Sequence, residues 1–206
     1  KMTVPAGPPK IEGELRKWHK IALTITGPES SETNTPNPFL DFRLNVLFEQ
    51  GDRQYLVPGY YAADGHAGQA GADSGNQGRV LFAPAATGTW KYTVSFRGGS
   101  QVAVSDDPNA GTPIRKIDGF SGTFDVASSD KKGRDHRAKG RLQYVGGRYL
   151  RFAETGEYFL KQGADAPENF LSYADFDGDF KTDGHKDGMI KTWEPHVRDW
   201  REGDPT

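Results

Sequence analysis

Residues 89–96 read TWKYTVSF, and the fold is decided there. Trp90, Tyr92, Val94 and Phe96 alternate with Lys91, Thr93 and Ser95, the period-two pattern of a strand with one face on a core and one toward water. The same pattern recurs outward along the chain. Phe42, Leu44, Val46 and Phe48 face one side of a strand that turns Asp41, Arg43 and Asn45 to the other. Earlier still, Ile21, Leu23 and Ile25 alternate with Ala22 and Thr24.

Turn and loop signals separate these runs. Gln50-Gly51-Asp52-Arg53 predicts a turn that returns the chain into Tyr55-Leu56-Val57 as a hairpin, ended by Pro58-Gly59. Residues 27–38, rich in Ser, Thr, Asn and Pro, read as a loop. So does 62–78, where Gly and Ala crowd without apolar periodicity. Residues 79–83 form a short strand stopped by Pro84, and Arg97-Gly98-Gly99-Ser100 turns the chain into Val102 and Val104. A last strand covers 123–126. Seven or so short strands spaced by turn signals predict a mainly β fold, an antiparallel immunoglobulin-like β-sandwich over residues 1–127. No repeat of 20–50 residues is present, which excludes solenoids and propellers.

The polar run that follows, 128–139, reads as a linker. Beyond it Leu142-Gln143-Tyr144-Val145 and 148–152 flank Gly146-Gly147, a two-residue hairpin signal. Glu154-Thr155-Gly156-Glu157 makes a second turn into Tyr158-Phe159-Leu160. Past Gly163 the chain becomes an irregular tail of aspartates, glycines and scattered aromatics.

Composition narrows the function classes. Among 206 residues, 26 Lys and Arg face 28 Asp and Glu, a net charge of −2. That balance gives no pull toward nucleic acid. Cysteine is absent, which removes disulfides, thiolate nucleophiles and cysteine-ligated metals together. No apolar run approaches the roughly 20 residues of a membrane-spanning helix. Neither nucleic acid nor membrane is an expected partner. No G-x-S-x-G elbow, P-loop or dinucleotide fingerprint occurs, and the five histidines show no metal-ligand spacing.

Several short motifs occur in an ordered series. They are Trp18-His19-Lys20, Asn37-Pro38-Phe39, Arg43-Leu44-Asn45-Val46, Val57-Pro58-Gly59-Tyr60, Ala63-Asp64-Gly65 and Gly88-Thr89-Trp90-Lys91-Tyr92. Together they resemble the DUF5060 domain found ahead of glycoside hydrolases in marine and gut bacteria. Residues 140–206 resemble the opening of the catalytic (β/α)-barrel of those enzymes, through Arg148-Tyr149-Leu150-Arg151-Phe152, 156–161, 163–170 and Trp193-Glu194-Pro195-His196. The resemblance implies a non-catalytic N-terminal accessory domain of a secreted, carbohydrate-active protein, extracellular or periplasmic. Its partners would be polysaccharide and the remainder of its own catalytic domain. Most of the barrel would lie beyond Thr206, so this chain is expected to hold no catalytic residue of its own. Two alternatives stand beside this reading: an independent carbohydrate-binding module, and a structural or adhesion sandwich.

Three groups of candidate site residues follow. On the resemblance, Asp165, Glu168 and Asn169 would sit at the C-terminal end of the first barrel strand, where such enzymes collect their polar groups. Pro167-Glu168-Asn169 equally suits a loop that caps a short helix. Asp175, Asp177, Asp179 and Asp183 space carboxylates along a tight loop, which suits a hard cation such as Ca²⁺. They depart from the EF-hand template, with Phe180 where glycine is required and Lys186 where the closing glutamate belongs. No other cofactor is implied. Finally Tyr60, Tyr61 and Trp18 are candidates for an aromatic platform under a sugar ring, or for anchoring a loop and meeting another domain.

Overall fold

The computed structural model describes residues 7–161 and residue 163. It is an antiparallel β-sandwich followed by a small three-stranded sheet. The first layer takes the order β1 (Lys10–Gly13), β2 (Ile21–Ser31), β6 (Ser74–Phe82), β5 (Tyr60–Tyr61). The second runs β4 (Arg53–Pro58), β3 (Phe42–Gln50), β7 (Gly88–Gly98). The far edge of β7 is shared by β9 (Ser121–Val126), which pairs along residues 88–93, and β8 (Thr112–Pro113), which pairs at Arg97 and Gly98.

The alternating residues make the core. Ile21, Leu23, Ile25, Val80 and Phe82 from one layer meet Leu44, Val46, Phe48, Trp90, Tyr92, Val94 and Phe96 from the other. Phe48 stacks flat on Phe82 across the layers, with ring centroids 4.1 Å apart, and Trp90 meets Phe82 edge-on at 5.2 Å. The fully buried Trp90 donates its indole N–H to the Ala86 carbonyl at 3.0 Å, so its polar atom is not stranded in the core.

The predicted β3–β4 hairpin, β7 and the strand around 123–126 form as the periodicity requires. Other segments differ. β2 continues past residue 26 to Ser31, where a loop is expected. A bulge between Thr26 and Ser30 takes up Pro28, which has no N–H to give to a ladder. β6 begins at Ser74, inside the other expected loop, because β2 and β5 flank it and supply pairing that the sequence does not advertise. Gly75 is required there: at φ 149° an added Cβ would run into the Ala63 carbonyl. Val102–Val104 form a 3₁₀ turn, with Val102 buried and Val104 exposed.

The small sheet comprises β10 (Leu142–Gln143), β11 (Leu150–Phe152) and β12 (Tyr158–Phe159). Leu142 pairs with Phe152 and Gln143 with Arg151, so the whole of 144–149 is the connection. The two-residue turn at Gly146-Gly147 does not form. That turn of type I′ needs φ above zero at both central positions, and only Gly146 has it, at 78°. The turn before Tyr158 is as predicted, with Gly156 N–H donating to the Phe152 carbonyl at 2.9 Å.

The chain divides into two compact units, Lys1–Gly65 with Asp73–Lys161, and His66–Ala72 with Gln162–Thr206. The first contains both layers and the small sheet. In the second, α1 (Ala67–Ala70) is a single turn closed by Gly71 in the left-handed region, whose N–H donates to the Ala67 carbonyl.

Candidate functional site

One end of the sandwich holds a cavity bordered by small and polar residues of the first layer. On β2 the inward positions run Ile21, Leu23, Ile25 and then Gly27. On β6 they run Phe82, Val80, Gly78 and then Asn76, with Ile25 opposite Gly78. At these glycines the second layer closes in: an added Cβ would lie 2.8 Å from Leu44 Cδ2 at Gly78 and 3.1 Å from Phe96 Cε1 at Gly27. Beside them lies a cavity of about 250 Å³.

Phe42, Leu44 and Phe96 line it from the second layer, and Gly27, Gly78 and Asn76 from the first. Phe39 lies at its rim, half exposed at 51%, on a loop that its own side chains shape. The Asn37 carboxamide oxygen accepts from the backbone N–H of Phe39 at 2.9 Å and of Leu40 at 3.2 Å, while Asp41 accepts from Asn37 N–H at 2.8 Å. The Phe39 ring meets Tyr61 edge-on at 5.7 Å.

Tyr60 and Tyr61 both line this cavity, but not as one platform. Tyr61 pairs with Gly78 and shares its inward side of the sheet; Tyr60 pairs with Arg79 and belongs to the other side. The Tyr61 hydroxyl lies 2.8 Å from the Ser30 carbonyl and 3.2 Å from that of Gly75, which ties β5 to the β2 bulge. Burial, reinforced by the nearby Glu29 and Glu32, pushes its phenol pKa up, so the group stays neutral and donating. Ser30 also lines the cavity; it is 8% exposed, and its Oγ has no hydrogen-bond partner among the described residues.

Arg43 carries the lining's one formal charge among the described residues. Its guanidinium is turned to a neighbouring loop, donating to the carbonyls of Ser105 at 3.1 Å, Asp107 at 3.0 Å and Pro108 at 2.8 Å. Arg97, opposite Arg43 in the ladder, holds the carbonyls of Ala110, Asn109 and Gly111 in the same way. The pair fixes the 105–111 loop and leaves the cavity electrically quiet.

Trp18 stands elsewhere. Its φ is 67°, its N–H donates to the Pro84 carbonyl, and its indole Nε1 donates to Glu154 Oε2 at 2.9 Å. Lys17 lies 2.5 Å from the same carboxylate, and these two partners, Lys17 foremost, hold the Glu154 carboxyl below the usual range. Trp18 therefore joins the sandwich to the small sheet and is not part of a platform with the tyrosines.

The polar run 128–139 is likewise fastened down. His19, fully buried, has Nδ1 2.5 Å from Glu14 Oε2 and Nε2 2.8 Å from Ser129 Oγ. Arg16 donates to the Ser128 carbonyl at 2.7 Å, and Lys131 lies 3.3 Å from Glu14. Glu14, His19 and Asp130 offer ligand atoms within 4.8 Å of one another, a grouping that no local spacing discloses. Both imidazole nitrogens are already engaged, and Lys131, Arg16 and Arg137 supply the compensating charge. That chemistry is an ion-pair junction and not a cation site. The hydrogen bond from His19 and the ammonium of Lys131 hold the Glu14 carboxyl below its ordinary range.

Asp165, Glu168 and Asn169, and the carboxylates Asp175, Asp177, Asp179 and Asp183, lie outside the described residues. Sequence reasoning reached Tyr61 but missed Phe39, Ser30 and Asn76. The signal for the last lies in the inward positions of β6, which pass from Phe82 and Val80 to Gly78 and Asn76.

A comparison with curated proteins finds no match. Among solved structures, the chain is similar to one described as a "putative glycoside hydrolase" from Bacteroides vulgatus ATCC 8482. The identity is 23% and the TM-score 0.47, over 72% of this chain and 21% of that one. The chain thus spans about a fifth of that protein's length. Residues 14–97, from the Glu14 junction through the last ring of β7, match the family model DUF5060, Domain of unknown function.

Proposed function

We propose that this chain serves as a non-catalytic accessory module of an extracellular polysaccharide-degrading glycoside hydrolase, packing against the catalytic domain through the small sheet. The observation that carries the reading is the surface of residues 142–160. Tyr144, Val145, Tyr149, Leu150, Tyr158 and Leu160 are all exposed there, with Tyr144 at 74% and both Tyr158 and Leu160 at 62%. Strands of two or three residues cannot cover so much apolar side chain, and a concentration of it marks an interaction surface. Beneath that surface the sheet is fixed: Phe152 is buried under the rings of His136 at 5.3 Å and Phe159 at 5.7 Å.

The match of residues 14–97 to DUF5060 and the resemblance of 140–206 to the start of a barrel support the choice of partner. The junction at Trp18, His19 and Glu154 supports a rigid transfer of position from sandwich to sheet. The test is hydrogen exchange at 142–160 in the natural full-length polypeptide against the 206-residue chain. Slower exchange in the former supports the reading, and equal exchange counts against it.

A further inference from the structure

We propose that the cavity at the glycine end of the sandwich binds one neutral sugar ring of a glycan, an inference that rests on the polysaccharide context proposed above. Size sets the first limit. Pockets for drug-sized ligands run to roughly 300–1,000 Å³. At about 250 Å³ this one has room for a single ring and not for several in a row.

The lining sets the second. A pyranose has an apolar C–H face and a rim of hydroxyls, so its site needs an aromatic wall beside hydrogen-bonding groups. Phe39 and Tyr61 supply the wall, their rings edge to face at the mouth. Asn76 brings a carboxamide to the lining, its oxygen accepting from Gln77 Nε2 at 2.6 Å. Ser30 Oγ is shielded and unpartnered in the free protein, and a buried hydroxyl in that state costs stability. After a rotation about its χ1 it would meet a ring hydroxyl.

Charge sets the third. The Arg43 guanidinium is committed to the 105–110 carbonyls and offers no free fork to a sulfate or a carboxylate. Glu29 and Glu32, whose field reaches the Tyr61 phenol, oppose anions at the rim. The site therefore selects uncharged sugars.

The test is an NMR titration of the 206-residue chain with methyl β-glucopyranoside and methyl β-galactopyranoside, with glucuronate and galactose 6-sulfate as charged counterparts. At least one neutral glycoside is expected to give saturable shifts centred on the amides of Phe39, Tyr61, Asn76 and Gln77. Phe39→Ala should weaken that binding about tenfold. Ser30→Ala should weaken it about fivefold yet leave Tm unchanged or raised, since it deletes an unsatisfied hydroxyl. A merely structural serine would not give that opposition of signs. The proposal is overturned by absence of saturable shifts with both neutral glycosides, by equal binding of the charged sugars, or by unaltered affinity in both variants. Protection of 142–160 in the full-length polypeptide is read separately, so failure of sugar binding and failure of the accessory role are distinguishable.

Discussion

At Gly59 a single added carbon would lie 2.6 Å from Leu44 Cδ2 and 2.9 Å from Val80 Cγ2. The backbone there is not left-handed, so the cost of Gly59→Ala is one of packing and not of strain. Overpacking of this kind costs about 1–3 kcal/mol, and chemical denaturation of the variant should show that loss. Combining it with Leu44→Val should restore part of it, because the crowded methyl is then gone. Glu154 gives a second test at this scale. Lys17, and after it the Trp18 indole, favour its ionised form, so its folded pKa lies below the unfolded value of about 4.3. A depressed carboxyl stabilises the fold above its unfolded pKa and loses that contribution as pH falls through the folded one. Glu154→Gln should therefore lower Tm at neutral pH by roughly 2–4 °C, or about 1 kcal/mol for so exposed a pair. The two Tm curves should converge as pH drops below about 4. Curves that stay parallel into acid would assign the loss to something other than this charge.

At the scale of elements, β3 and β7 are the strands bonded on both edges over most of their length, and they carry the largest share of buried rings. Their amides should exchange slowest in the isolated chain, and those of β10 to β12 fastest among the strands. Residue-resolved hydrogen exchange checks the order; fast exchange in the middle of β7 would contradict it. The same contrast explains what the sequence discloses. β3 and β7 are legible because every second residue is large and apolar, from Leu44 to Phe48 and from Trp90 to Phe96. The first half of β6, Ser74 to Gly78, is hidden because its inward residues are an asparagine and a glycine, and pairing with β2 and β5 alone makes it a strand. Legibility of the site fails for that very reason. Tyr61 stands out as an aromatic, but Gly27, Gly78 and Asn76, which line the cavity beside it, belong to stretches of β2 and β6 without apolar alternation. The Glu14–His19–Ser129–Asp130 junction joins segments more than a hundred residues apart, beyond any motif spacing.

At the scale of the whole molecule, the sandwich covers its own core while the small sheet leaves its tyrosines and leucines in water. The proposed accessory role makes sense of that asymmetry: the stable body holds the junction, and the small sheet would present its apolar surface to a catalytic domain. The most direct measurement is hydrogen exchange across residues 142–160 in the natural full-length polypeptide and in the 206-residue chain under one set of conditions. Docking predicts that these amides exchange at least about tenfold more slowly in the full-length polypeptide, while β3 and β7 are unchanged. Identical exchange across 142–160 in the two would mean that nothing covers this surface, and would contradict the account.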